Sequence, residues 1–329
     1  MTSNKKYGGL PWLQRWKRFA IDYALFLMIA VLVAVFACIS PAFLSSGNVL
    51  MLLANASPLM ILSTGMAFIL LVGELDMSVG STMCAGALLW GYGVTNWGLG
   101  IVPSTLLALA ACAGIGLLNA FLNVRLKINS FLATLGMQII ITGVNRLCTN
   151  CIQLTLSDAM RTAAMRKVFG AISPMALGAL VLLLVCQLVF LFTRYGRYVK
   201  ATGTNRKAAK KTGIRVNRIL TVNFVISSLF AGIAGIAHIL VNSAALASST
   251  GVGGEFDAIT ACVVGGVSLF GGVGSFVPGV LVGVLFIQLI ENALGMIGVN
   301  AYLYPVFRGA IIFAAMAFDA LKHSLGRDG

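Results

Sequence analysis

Glu74 and Asp76 lie two residues apart in Gly73-Glu74-Leu75-Asp76-Met77-Ser78-Val79-Gly80-Ser81, a polar island inside an apolar run. Carboxylates beside a membrane segment cost several kcal/mol when they face lipid, so these two must meet water, protein or a partner. Three kinds of chemistry are open to them. They could cap the helix that follows, with Asp76 or Ser78 at its N-terminus, where the helix dipole favours an acid. They could serve an inter-subunit contact or a gate. With Glu291, they could carry protons or sodium in an ion-coupled carrier.

A second island starts at Glu255-Phe256-Asp257 and continues through Gly265-Gly266-Val267-Ser268-Leu269-Phe270-Gly271-Gly272-Val273-Gly274-Ser275. Glycines at this density permit close backbone approach and kinking, which suits a gating or broken helix. The run is no phosphate loop, because no strand leads into it and no Lys-Ser/Thr closes it. Helix packing through small residues is the plainer alternative, and Gly279 and Gly283 add a further small-xxx-small face.

Isolated polar residues in or beside apolar runs are candidates for lining a solute path: Gln138, Asn145, Asn223, His238, Gln288, Glu291 and Asn292. Each could instead hydrogen-bond one helix to another. No nucleophile, base and acid recur together, and no motif for phosphoryl or acyl transfer is present, so no enzyme active site is expected. Cys148 and Cys151 form a Cys-x-x-Cys pair outside a span. A disulfide and a chance pair of small residues are both open there. No histidine cluster accompanies them, which argues against a metal. The other five cysteines lie in apolar runs as packing residues.

The elements that must hold these residues are helices in a membrane. The 329 residues are 59% apolar and only 10% charged, with mean hydropathy +0.97. Twenty apolar residues cross about 30 Å of hydrocarbon, and such runs recur, giving an all-α polytopic protein. Barrel strands would alternate instead. The net charge of +14 reads as loops facing anionic lipid rather than nucleic acid.

Ten spans are expected, near 20–39, 49–72, 78–96, 101–123, 129–145, 174–193, 219–243, 257–273, 275–293 and 304–320. The eighth and ninth are divided only around Gly272 to Gly274, so that pair is a candidate for a broken or re-entrant element. The Gly-Ser pairs Gly80-Ser81 and Gly274-Ser275 suggest an inverted repeat of the two halves. Of 23 Lys and Arg, 18 fall before Ala20, at Arg125 and Lys127, in 194–218, or at Lys322 and Arg327. Arg146, Arg161, Arg166 and Lys167 share one connection on the other side. The positive-inside rule then places both termini in the cytoplasm. The expected organisation is a basic N-terminal segment 1–19, without a cleavable signal peptide, a transmembrane domain 20–320 and a cytoplasmic tail 321–329.

Residues 194–218 carry nine of those cations and no acid. Asn205 to Thr212 is expected to be a short helix with Asn205 as N-cap and Gly213 as its stop. Such a helix could fit a groove on a cytosolic partner or lie on lipid headgroups.

The stretch Gly196-Arg197-Tyr198, Ala201-Thr202-Gly203, Asn205, Ala208-Ala209 and Gly213-Ile214 resembles the cytoplasmic coupling loop of permease subunits of bacterial ABC importers for monosaccharides, the ribose, xylose and galactoside class. Three further blocks agree: Gly73 to Ser81, Ser130-Phe131-Leu132-Ala133-Thr134-Leu135-Gly136, and Ala261 to Ser275 with Gly265, Gly266, Gly271 and Gly272. The resemblance implies a ten-helix subunit of the cytoplasmic membrane. Its implied partners are a second permease subunit, identical or related, a cytosolic ATPase that holds ATP and Mg, and a periplasmic or secreted sugar-binding protein. No cofactor is implied in this chain. By the same resemblance Asn205, Ala208, Ala209 and Gly213 lie in the helix that docks on the ATPase.

One departure stands out. The family usually carries acidic residues where this chain has Arg206 and Lys207, which suggests an acidic groove on the ATPase facing them. Three other readings stay open: a branched-chain amino-acid permease of the same superfamily, an ion-coupled carrier, and an integral-membrane enzyme, the last without a supporting constellation.

Overall fold

A computed structural model describes residues 12–157, 160, 162, 173–300, 303, 304, 306, 307, 309–311 and 313, with side chains from residue 26 onward. The expected tenth span, the cations Arg161, Arg166, Lys167 and Arg308, and the tail 321–329 fall largely or wholly outside these residues. The helices are α1 Trp12–Ile39, α2 Ser46–Leu71, α3 Val79–Thr95, α4 Ile101–Ala120, α5 Ser130–Thr149, α6 Pro174–Phe192, α7 Arg194–Thr204, α8 Arg206–Lys211, α9 Val216–Asn242, α10 Gly254–Val264 and α11 Leu281–Met296. Wider π turns extend α4 through Phe121–Arg125 and lead into α11 from Phe276–Val280. Two short strands, β1 Leu154–Thr155 and β2 Ala244–Ala245, pair antiparallel at the end of the bundle away from α7 and α8.

Among the described residues six helical segments are long and apolar enough to cross a membrane: Ser46–Leu71, Ile101–Arg125, Ser130–Thr149, Pro174–Phe192, Val216–Asn242 and Phe276–Met296. The chain is a polytopic membrane protein. Local signals place several helix starts. Ser45 accepts from the Asn48 amide to begin α2, and Ser173, followed by Pro174, accepts from Ala176 to begin α6.

The core is built around α9. Gly65 of α2, Gly86 of α3 and Gly116 of α4 all face it, and a Cβ at any of them would come within 2.6–2.8 Å of α9 atoms. Helices in lipid gain little from burying apolar surface against one another, so close backbone approach through small residues supplies the attraction. Ala231, Ala234 and Ala237 on α9 are accordingly buried.

Two expected spans differ from the structure. Residues 257–273 are no crossing, because α10 ends at Val264 and the chain then loops through Gly265–Ser275. At eleven residues α10 spans only about 16 Å, half the hydrocarbon thickness. Gly266, Gly271 and Gly272 hold positive φ of 87°, 85° and 77°, so these glycines end the helix rather than merely kink it. The expected pair of matching breaks is also corrected. Gly80-Ser81 lies within the first turn of α3, and the chain is interrupted earlier, between Leu71 and Val79. Gly274-Ser275 lies in the irregular loop before α11, so the two pairs do not occupy equivalent positions.

Candidate functional site

The basic segment is two helices rather than one. Thr193 caps α7 by accepting from the Gly196 amide. Asn205 then turns the chain: it is extended, at φ −160° and ψ 100°, and its Oδ1 accepts from the Ala208 amide at 3.0 Å to start α8. Gly213, at φ +85°, stands just past the end of α8. The Asn205 cap and the Gly213 stop are where the sequence places them. Helix α7 was not expected, since its cations hide an amphipathic pattern in which Gly196, Val199 and Thr202 are buried. Arg197, Lys207 and Ala208 remain exposed, while Ala209 faces inward. The Tyr195 hydroxyl donates to Asn223 Oδ1 of α9 at 2.6 Å and pins α7 to the bundle.

Three sequence islands meet at the end of α7. Gly203 packs against the Leu71 carbonyl of α2 and the Gly272 amide with no room for a side chain. The Gly272 amide itself donates to Leu71 O at 2.9 Å. Gly73 faces the Phe270 carbonyl, and Gly271 faces the Gly73 amide. The end of α2, the end of α7 and the loop after α10 therefore touch backbone to backbone.

Arg206 completes this junction. Its Nη1 lies 2.8 Å from Glu74 Oε1, and its Nη2 donates to the Val72 and Gly73 carbonyls at 2.9 and 3.2 Å. A helix leaves its last carbonyls unbonded, and a cation at that end also meets the negative pole of its dipole. Here the Val72 and Gly73 amides return to Ile69 O and Leu70 O, Gly272 takes Leu71 O, and Arg206 takes the rest. Glu74 thus pairs with Arg206 and does not cap α3. Arg206 is paired with Glu74 while its side chain stays 42% exposed, and Lys207 beside it is exposed as well.

Asp76 is fully buried a little further along. Its Oδ1 accepts from the Ser78 amide at 3.0 Å and the Ser78 hydroxyl at 2.6 Å, and its Oδ2 accepts from Ser227 of α9 at 3.0 Å. Asn119 of α4 donates to the Ser78 hydroxyl at 2.8 Å. Burial pushes the Asp76 carboxyl above its usual range, with the bonds from Ser78 and Ser227 opposing that. Ser78 occupies the N-cap of α3 without a side-chain capping bond; Asp76 bonds its amide instead. From α5, Ser130 and Thr134 accept from the Leu75 and Met77 amides. The linker between α2 and α3 is held by α4, α5 and α9 together.

The path candidates mostly join helices. Gln138 donates to Glu255 Oε1 at 2.7 Å, Asn145 to the Ser81 carbonyl at 3.1 Å, and Asn292 exchanges bonds with Asn48 at 3.0 Å. His238 pairs with Asn242 one turn along α9, and Gln288 is buried in α11. Glu291 also has a partner. Gly265 packs against the Gly279 carbonyl, whereas Gly266 meets only open space. Among the described residues no group of His, Cys, Asp or Glu comes together as a metal site. Cys148 and Cys151 are free and exposed. Beside the junction opens a cavity of about 840 Å³, bounded by the Val72–Glu74 turn, the end of α4, the start of α5, α8 and the start of α9.

Residues 48–316 match the family described as branched-chain amino acid transport system / permease component. The ribose import permease protein RbsC of Escherichia coli is 30% identical over 98% of both chains. The galactose/methyl galactoside import permease protein MglC of Haemophilus influenzae is 31% identical over 94% of this chain and 95% of its own. The autoinducer 2 import system permease protein LsrC of an Enterobacter species is 31% identical over 93% and 89%. This chain belongs to that ABC-importer permease family. No solved structure matches it significantly. The permease carries solute, and ATP hydrolysis belongs to a separate subunit, so it is not itself an enzyme. Two groups that brace the site, Asn119 and Tyr195, carry no distinguishing signal in the sequence. Asn119 gives the same signal as any other amide in an apolar run. Tyr195 gives none, since a tyrosine among nine cations, like Tyr198 beside it, reads as surface.

Proposed function

We propose that this permease is the membrane conduit of an ATP-driven importer that moves a monosaccharide, a pentose or hexose, across the bacterial cytoplasmic membrane. The backbone junction of Leu71, Gly203 and Gly272, clasped by Arg206, is the observation that carries the reading. A cytosolic ATPase docks on α7 and α8 through Asn205, Lys207 and Ala208, and binds ATP and Mg itself. Its closure displaces α8, and the junction delivers that displacement to the end of α2 and the loop before α11, because no flexible side chain intervenes to absorb it. A second permease subunit, identical or related, completes the conduit, and a periplasmic or secreted binding protein supplies affinity for the solute. The lysine and arginine distribution supports an orientation with both termini cytoplasmic.

The sugar assignment rests on relatives that import ribose, galactose or methyl galactoside, and autoinducer 2. The family description favours a second reading, a branched-chain amino acid. Reconstitution of the permease with its ATPase and binding protein in proteoliposomes separates them, using labelled ribose, galactose and leucine. Sugar uptake that needs internal ATP, stops with vanadate and ignores protonophores is expected. Leucine uptake alone replaces the solute, and protonophore-sensitive uptake without the ATPase sinks the coupling scheme.

A further inference from the structure

The cavity beside the junction has no part in the transport scheme above. At about 840 Å³ it lies within the roughly 300–1,000 Å³ range of small-ligand sites and is too small for a folded piece of a partner. Lys127, Arg206 and Lys210 line it together with Asn123, Asn129 and Asn217, and among the described residues Glu74 is the one acid at its wall. Glu74 and Arg206 neutralise each other. Among the described residues neither Lys127 nor Lys210 has an ion-pair partner, so the cavity keeps two uncompensated cations. Lys127 is held at φ +58°, a left-handed conformation that a residue with a Cβ seldom adopts, and this fixes its backbone at the cavity wall. Exposed apolar side chains adjoin the same wall: Leu126 and Ile128 beyond the end of α4 and Phe131 at the start of α5.

We propose that this cavity binds a phosphate group, supplied by the headgroup of an anionic phospholipid or by a soluble phosphate, with Lys127 and Lys210 as its cations and the asparagine amides as donors. A sugar would leave both charges unanswered, whereas a phosphate oxygen accepts charge-assisted bonds from each lysine. Basic pockets between membrane helices at the cytoplasmic surface suit phospholipid headgroups, and the flanking apolar side chains suit the acyl chains. The inference does not depend on which solute the permease carries.

The test uses the full-length permease in detergent, titrated with spin-labelled phosphatidylglycerol, spin-labelled phosphatidylcholine and inorganic phosphate. The variants are K127Q/K210Q and the charge-matched control K207Q/K211Q, whose lysines do not line the cavity. Phosphatidylglycerol is expected to bind more tightly than phosphatidylcholine to the unaltered protein and to the control. In K127Q/K210Q that binding falls about 25-fold, the product of roughly fivefold from each lysine beside an anionic headgroup. Indifference to millimolar phosphate assigns the site to lipid, and displacement by phosphate with the same lysine dependence assigns it to a soluble anion. Equal losses in both variants reveal a diffuse positive surface and overturn the proposal. So does binding that both variants retain, or a K127Q/K210Q variant that fails only to retain the ATPase. If the double variant does not fold, K127Q and K210Q alone, at exposed side chains, each report the fivefold step.

Discussion

Arg206 holds Glu74 through Nη1 at 2.8 Å while its Nη2 bonds the last two carbonyls of the turn that ends α2. One side chain therefore ties the basic helix to the first polar island. Glu74 is 9% exposed and the Arg206 side chain 42%, so the acid depends on the pair more than the cation does. Replacing Arg206 leaves a mostly buried carboxylate and two carbonyls without their donor.

Arg206→Glu is expected to destabilise the permease by about 1–3 kcal/mol and to reduce ATP-driven uptake. The exchange of both residues, Glu74→Arg with Arg206→Glu, restores opposite charges but not the carbonyl bonds, so it should recover part of the loss. Thermal midpoints in detergent and uptake by proteoliposomes measure both effects. A double exchange no better than Arg206→Glu alone would show that the ion pair carries no weight.

Gly203→Ala drives a methyl group into the Leu71 carbonyl and the Gly272 amide. Overpacking against backbone costs about 1–3 kcal/mol, and uptake should fall further than stability because the displaced backbone is the mechanical link. Gly136→Ala on α5 meets open space and should be neutral or stabilising, by up to about 1 kcal/mol. Equal thermal midpoints for the two variants would remove the junction from the account.

Asp76→Ala strips the acceptor from the Ser78 amide and from the Ser78 and Ser227 hydroxyls. Each buried donor left unpaired costs about 1–3 kcal/mol, so folded yield should collapse. Asp76→Asn keeps one carbonyl acceptor and offers its amide to the Ser227 oxygen, and it should cost about 1 kcal/mol. Fluorescence-detected size exclusion of the two variants compares them directly.

Asn205→Ala removes the cap of α8, worth about 1 kcal/mol, whereas Asn205→Asp preserves an acceptor for the Ala208 amide. Co-purification of the ATPase should weaken with the alanine and survive with the aspartate. Similar retention by both would mean that α8 does not need its cap to dock.

Cys148 and Cys151 are exposed at the end of the bundle opposite α8. An impermeant thiol reagent added to intact cells should label them, and should label Lys211→Cys, in a Cys148→Ser/Cys151→Ser background, only after the cells are opened. The reverse pattern would invert the proposed orientation.

Much of this arrangement was legible in the residues themselves. The long apolar runs gave the crossing helices, since only continuous apolar length satisfies the bilayer. Asn205 and Gly213 marked the bounds of α8 because capping is local chemistry. The glycines after Val264 marked an irregular element, but nothing local distinguishes a helix that kinks at glycine from one that stops there. That outcome was decided by Leu71, whose carbonyl receives the Gly272 amide. Glu74 read as a cap for the same reason: its true partner, Arg206, is distant in sequence and brought close only by packing. The polar amides were visible as exceptions in apolar runs, yet whether Asn223 faced solute or Tyr195 depended on how α7 folds back.

Helix α9 bears on how such a subunit can move. α2, α3 and α4 each approach it closely at a glycine, Gly65, Gly86 and Gly116, which leaves these four little room to slide or roll past one another. They make a keel that shifts as one piece or not at all. On the proposed scheme alternating access is then executed at the rim, by the end of α2, the half-length α10, the glycine loop and the outer helices, which swing against that keel.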